Sequence, residues 1–482
     1  MAVVEVSSPR NSGAKDGRTA KEKEKPEKNR PTCLKLIRDF SLLFMNTSSI
    51  HGFSQITTRK RHPIESILWI VAVAAAIWGT VTVNLSTWNR FQETPTVVSI
   101  ERNYHDWNTS FPAIAICPTA KYWNKSFDEV LAKHPYVRDK EAFVEFFKGL
   151  VEGSYLTWNQ TLKTPFYEVH PKDFWKIVYD ISYKFTYNVS NSNMEYYNVL
   201  TMKMFMTDYG ICYSYNSQAA VYNEREYWEK NKWEYYTNLP LFNGNPLDGD
   251  IFAQVMNMNT GYTMFLMDPY ELPDVATKYI RATNNSYKTL DVTALSIASS
   301  DSIRDLTYNQ RKCRFAEEAA GLETTPSYSY YSCRQECRMR LSKKLCGCVP
   351  YFYRPLDKYP VCNFDGIKCL MKHGERLHFL RGTDDKCDCL PLCSETTYVV
   401  SVDNTMDWNL GTNLKWGLVK YPKLRYKRDI LFGLSDLIVA IGGTAGLFLG
   451  CSLLSFAEIF YFFTVRFAFY VWKHLSRSTY KQ

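Results

Sequence analysis

The chain carries no nucleophile elbow, no glycine-rich phosphate loop and no motif of spaced metal ligands. Those absences remove the usual sequence signs of covalent, phosphoryl-transfer and metal-assisted catalysis, so an enzyme is not expected. An aromatic-basic pattern of the kind that reads nucleic acid is also missing, which leaves the basic residues to be explained otherwise. Charge itself nearly vanishes from one region. Between Ile430 and Val471 only Asp436, Glu458 and Arg466 are charged.

What is present orders the chain around two apolar regions. Ser66 to Val83 is uncharged and 18 residues long, close to the roughly 20 needed to cross about 30 Å of hydrocarbon. It follows too long a polar leader to be a cleaved signal peptide. The second region, 430–471, is 42 residues long, about twice what spanning requires, and must project beyond the bilayer, break, or do both. The first 62 residues hold 13 Lys and Arg against 6 Asp and Glu, ending in "RKRH" at 59–62. Lys473, His474, Arg477 and Lys481 follow the second region. Positive residues beside both spans place both termini in the cytoplasm, and the residues between the spans outside the cell. The expected divisions are 1–63 cytoplasmic, 64–86 first span, 87–429 extracellular, 430–472 second span and 473–482 cytoplasmic.

The cysteines test that topology independently. Twelve of fourteen lie between Cys117 and Cys393, an even number in the compartment where disulfides persist and where they are favoured over zinc. Cys33 and Cys451 are left over. Sequons at Asn108, Asn124, Asn159, Asn188 and Asn284 suit a glycosylated outer face, while the sequon at Asn46 falls on the cytoplasmic side.

Within the outer region, 96–117 offers two β-rich runs and "ETTYVVSVD" at 395–403 another, each next to a span in sequence. Residues 140–153 have helical periodicity, with Phe143, Phe146, Phe147 and Leu150 on the apolar side, as in a packed surface helix. Cys333 and Cys337 are four apart on a helical stretch, about 6 Å along one face. Cys387 and Cys389 are two apart on an extended stretch, about 6.6 Å. If the two run antiparallel, the rungs are Cys337–Cys387 and Cys333–Cys389. Nesting outward gives Cys313–Cys393 and inward gives Cys346–Cys369 and Cys348–Cys362, leaving Cys117–Cys212.

The second apolar region also carries polar and small residues. Gly442, Gly446 and Gly450 are spaced four apart, which suits close helix packing. On a continuous helix Cys451, Ser455 and Glu458 form one polar stripe. Glu458 is expensive in lipid and is expected to face water or a bundle interior. Repeated around a symmetric oligomer the stripe gives a ring of carboxylates, and a Gly-rich break offers carbonyls to a dehydrating cation.

At these motifs the chain resembles the degenerin and epithelial sodium channel family, most closely its insect pickpocket branch. The matching stretches are "SSIHG" at 48–52, "FPAIAICP" at 111–118, the array ending "CDCLPLCSETTY", and "GGTAGLFLGCSLLSFAEIFYFF" at 442–463. The resemblance implies an α+β membrane protein, with two transmembrane helices flanking a disulfide-rich outer domain of palm, finger, thumb, knuckle and β-ball parts. It implies a homo- or heterotrimer in the plasma membrane, conducting sodium, with amiloride as a ligand and no cofactor beyond the permeant ions. The filter falls on Gly450, Cys451 and Ser452, and the gating His-Gly pair on His51 and Gly52. The amiloride position falls near Gly446, and a gating constriction at Val439, Ala440, Gly442 and Gly443. Ala440 stands where the family often has aspartate, the extra disulfide of acid-sensing members is missing, and no Pro-Pro-x-Tyr motif follows the second span. Two other classes fit the two-span layout: a non-conducting receptor or regulatory subunit, and an ATP-gated channel, whose Asn-Phe-Arg motif this chain lacks.

Overall fold

The computed structural model describes residues 33–57, 62–184, 186–192, 201–380 and 387–472. The basic stretch 59–61 and the residues after 472 lie outside them. Two units result, Trp88–Leu434 and a second that joins the residues up to Thr87 with those from Ser435 onward.

The larger unit is built around two large sheets, beside a small pair of Thr109–Ser110 with Asn243–Gly244. A seven-stranded sheet contains Thr96–Glu101, Arg425–Ile430, Ser286–Ser299, Thr412–Lys420, Ile251–Met258 and Asn188–Asn191 in that order, with Glu395–Asp407 also paired to Ser286–Ser299. A five-stranded sheet is centred on Ala113–Pro118, flanked by Tyr262–Met267 and Gly210–Tyr215. Alternate residues of the central strand point to opposite faces. Ile114 and Ile116 enter a core with Val255, Leu290, Val292, Leu414 and Trp416 from the seven-stranded sheet. Ala113, Ala115 and Cys117 enter a second core with Phe205, Cys212 and Phe265. Both faces of the strand are covered, which is why "FPAIAIC" reads as a continuous apolar run.

The helical part packs on a third core. Lys140–Glu152 is capped by Asp139, whose side chain accepts from the Ala142 N–H. Phe143, Phe146, Phe147 and Leu150 are fully buried there while Lys140, Glu141 and Glu145 stay exposed, as expected of a packed surface helix. Tyr330–Cys346 is N-capped by Ser329 and ended by Gly347 in the left-handed conformation, φ 73°. Six disulfides staple the unit: Cys117–Cys212, Cys313–Cys393, Cys333–Cys389, Cys337–Cys387, Cys346–Cys369 and Cys348–Cys362. Cys387 and Cys389 lie on chain that joins no sheet, so their positions are set by the sulfur bridges and by local contacts rather than by a ladder. The sequon asparagines Asn108, Asn124, Asn159, Asn188 and Asn284 are all exposed.

One ionic cluster lies beneath the staples. Arg338, fully buried, bonds Asp208 at 2.6 Å, Asp274 at 3.1 Å and the Leu377 carbonyl at 2.8 Å. It thereby ties the helix Tyr330–Cys346 to the turn after Lys203–Thr207 and to Gly374–Phe379. Burial pushes the Asp208 carboxyl up to about 7, against the pull of the guanidinium. Removing one member of such a cluster leaves buried charge uncompensated, typically at a cost of about 3–5 kcal/mol. Arg338→Ala is therefore expected to lower stability by that amount in denaturant titrations of the detergent-purified chain. Adding Asp208→Asn and Asp274→Asn should recover a large part of the loss, and an unrecovered triple variant would show that packing, not charge, dominates.

Candidate functional site: the break in the second apolar helix

The smaller unit contains the helices Cys33–Thr47, Phe53–Thr57, Pro63–Glu93, Leu434–Leu449 and Leu453–Tyr461. Two helices are long and apolar enough to cross a membrane, Pro63–Glu93 and Leu453–Trp472, while Leu434–Leu449 is a shorter apolar helix. The first runs well past the 64–86 expected from hydropathy, because the polar residues from Asn84 to Glu93 continue the helix. The second region does break, at Gly450, Cys451 and Ser452.

The break has a local cause. Gly450 adopts φ 64°, the left-handed conformation in which helices commonly end on glycine. The Cys451 N–H turns back to the Ala445 carbonyl at 3.3 Å. Ser452 then caps the next helix, its hydroxyl accepting from the Ser455 N–H at 3.3 Å, while the Ser455 hydroxyl accepts from the Ser452 N–H at 3.1 Å.

The expected polar stripe is corrected by this geometry. Cys451 lies in the break and not on the helix with Ser455 and Glu458, so a continuous helical wheel does not apply. Ser455 is buried and points to a hydroxyl partner, Ser49, whose Oγ donates to it at 2.8 Å. Glu458 lies half-buried one turn further along.

The segment before the first long helix seats on the break. Helix ends leave carbonyls without partners, and the Leu449 carbonyl is taken by the His51 N–H at 3.0 Å. A Cβ placed on Gly450 would lie 1.6 Å from His51 Nδ1, so the imidazole rests directly on the glycine. Gly52 is likewise left-handed, φ 89°, and a Cβ there would meet Val73 of the first long helix at 2.6 Å. Ile50, Ala445 and Cys451 close a small apolar cluster around the contact. The Ser452 carbonyl is taken by the Ser455 N–H at 3.0 Å. Among the described residues no hydrogen bond goes to the Gly450 or Cys451 carbonyls.

The structure thus brings His51, Gly52, Gly450, Cys451, Ser452 and Ser455 together, and leaves Glu458 nearby. Val439, Gly442, Gly443 and Gly446 fall on one exposed face of Leu434–Leu449, with Ala440 beside it. Added Cβ atoms at Gly442 and Gly443 would meet nothing within 4 Å.

Several participants were not singled out by sequence. Phe40 packs against Phe462, Phe467 and Tyr470 at 4.9–5.2 Å, and Phe44 against Phe462 and Phe463 at 5.0 Å. Gly79 lets Phe448 approach, its absent Cβ lying 3.0 Å from the ring. The i, i+4 spacing of Phe40 and Phe44 was the available signal.

Comparison with known proteins completes the description. Residues 44–462 match the family described as amiloride-sensitive sodium channel. The chain is 22% identical to the sodium channel protein Nach of Drosophila melanogaster, over 88% of this chain and 86% of that protein. It is 20% identical to pickpocket protein 11 of the same species, over 88% and 75%. It is 22% identical to the bile acid-sensitive ion channel of Mus musculus, over 89% and 88%.

The seating of His51 on Gly450 makes a specific prediction. A Ser49→Cys, Ser455→Cys pair should cross-link under mild oxidation, and adding Gly450→Ala should abolish the cross-link. Further addition of His51→Ala should restore it only in part, since the steric conflict goes but alanine still pays roughly 1–2 kcal/mol in the left-handed conformation. Failure of the pair to cross-link would remove the contact.

Proposed function

The chain belongs to the amiloride-sensitive sodium channel family, and from that premise we propose that it is a subunit of a trimeric, sodium-selective cation channel of the plasma membrane. In this reading 1–63 and 473–482 are cytoplasmic, 64–86 and 430–472 cross the bilayer, and 87–429 face outward. Gly450, Cys451 and Ser452 form the narrowest part of the pathway. The observation that carries the reading is the break itself, with two carbonyls free for a cation and an N-terminal segment seated behind it.

Three copies of the break would ring the axis with six such carbonyls, which replace the water a sodium ion must shed. Glu458 would form a ring of carboxylates that raises the local cation concentration. The exposed face of Val439, Gly442, Gly443 and Gly446 suits contact with its counterparts, because small residues let helix backbones approach. Bulk at Val439 would then oppose closure, and a ligand such as amiloride would reach the pathway near Gly446. Partner subunits would be further copies or related chains.

The direct test is current from cells expressing this chain alone, recorded with external sodium replaced by potassium and then by a large organic cation. A reversal potential that follows sodium supports the reading. Surface expression without any current at rest or under amiloride withdrawal, with or without related subunits, would sink it. In a conducting assembly Glu458→Gln should lower conductance, and more so at low ionic strength, since the Debye length falls from about 30 Å at 0.01 M to about 10 Å at 0.1 M. An equal effect at both salt concentrations would argue against a charge ring.

A further inference from the structure

One disulfide differs from the others in what lies beside it. Cys346 ends the helix Tyr330–Cys346, Cys369 lies in Phe364–Lys372, and the two are bridged with 5.7 Å between Cα atoms. His373 follows Cys369 by four residues, one helical turn on, and an imidazole nitrogen and both sulfurs lie within 4.8 Å of one another. Among the described residues this is the one group of three or more such side chains close enough to share a metal ion. All three residues are half-buried, as are Cys333, Cys337, Cys387 and Cys389, whereas Cys117–Cys212 and Cys313–Cys393 are fully buried. An open cleft of about 720 Å³, lined by Met371, His373, Gly374, Arg376 and Phe379, leads to the histidine. Lys344, Lys368 and Lys372 are exposed on the flanking turns, and such cations favour thiolate and speed exchange.

We propose that Cys346–Cys369 is a reducible disulfide whose opening creates a Cys2His site for a borderline-soft divalent cation of the zinc type. A thiolate of an external dithiol attacks one sulfur and the other leaves as thiolate. The second thiol of the reagent then closes its own disulfide and releases the first cysteine. Two electrons pass to the protein pair, which takes up the two protons the reagent gives up, and metal binding displaces those protons. The sulfurs then sit about 3.7 Å apart, as two ligands of a tetrahedral ion with metal–sulfur bonds of about 2.3 Å do. A small side-chain rotation reaches that separation, and His373 supplies the third ligand, leaving a fourth position open to water.

The fold tolerates the opening because a second bridge, Cys348–Cys362, is nested inside the first. With the inner loop still closed, only part of the loop constraint is lost. The outcome is a change at the end of the helix that carries Arg338, without unfolding of the unit.

The test uses the full chain in detergent, independent of any current. Native free thiols are blocked by alkylation, limiting dithiothreitol is added, and newly freed cysteines are labelled and located by mass spectrometry. Cys346 and Cys369 are expected to be labelled before the other ten. After removal of the reagent, Cd2+ serves as the spectroscopic probe through its sulfur-to-metal absorption band, and Zn2+ should compete for it. His373→Ala should weaken Cd2+ binding by at least ~10-fold, and His373→Cys should restore it. Earlier labelling of any of the other ten would overturn the assignment of the reducible bridge. Cd2+ binding unchanged in His373→Ala, or absent from the reduced parent, would overturn the metal site.

Discussion

In the smaller unit the break in the second apolar region is held by the hydrogen bond from the His51 amide to the Leu449 carbonyl. An apolar run of this length could continue as one helix, in which that carbonyl would be paired internally. Gly450 in the left-handed conformation stops it, and there the exposed carbonyl finds a donor and the glycine's bare face accepts an imidazole. Ser49, Ile50, His51 and Gly52 supply both. The N-terminal segment is thus part of the structure of the second apolar region, and a displacement of either alters the break.

The outer unit meets a different physical demand. It must hold many short elements in register with several separate cores, and it does so by burying both faces of Ala113–Pro118 and by six covalent bridges. Arg338 adds an ionic knot that joins the turn at Asp208 and the helix Gly374–Phe379 to Tyr330–Cys346. Such knots are costly to half-remove and cheap to replace entirely.

Much of this was legible in the sequence. The β-rich run ending in "FPAIAIC", the aromatic spacing in 140–153 and the equal reach of the Cys333/Cys337 and Cys387/Cys389 doublets are local patterns, and local patterns survive in one dimension. The excess length of 430–471 required a break or an overhang, and glycine at 450 marks the break. What was not legible depends on meetings between distant segments. Ser49 and Ser455 are 406 residues apart, so nothing periodic links them. The wheel joins Cys451 to Ser455 and Glu458 because it assumes an unbroken helix, whereas Cys451 lies in the break. Phe40, Phe44 and Gly79 carried no chemistry to draw notice, and their roles come only from what packs on them.

The strands leading to and from the two long apolar regions form one ribbon. Thr96–Glu101 and Arg425–Ile430 pair antiparallel, Thr96 opposite Ile430, and the Leu431 and Phe432 amides both bond the Pro95 carbonyl. Glu101 is held by Arg425 at 2.6 Å and Lys427 at 3.0 Å at the other end. Both leads therefore leave the ribbon from the same end. A pull shared by the two leads loads none of the cross-strand bonds, whereas a pull that separates them peels the ladder one pair at a time, beginning at Thr96 and Ile430. The ribbon is rigid to common motion and weakest to divergence, and its ion-paired end is the last to open.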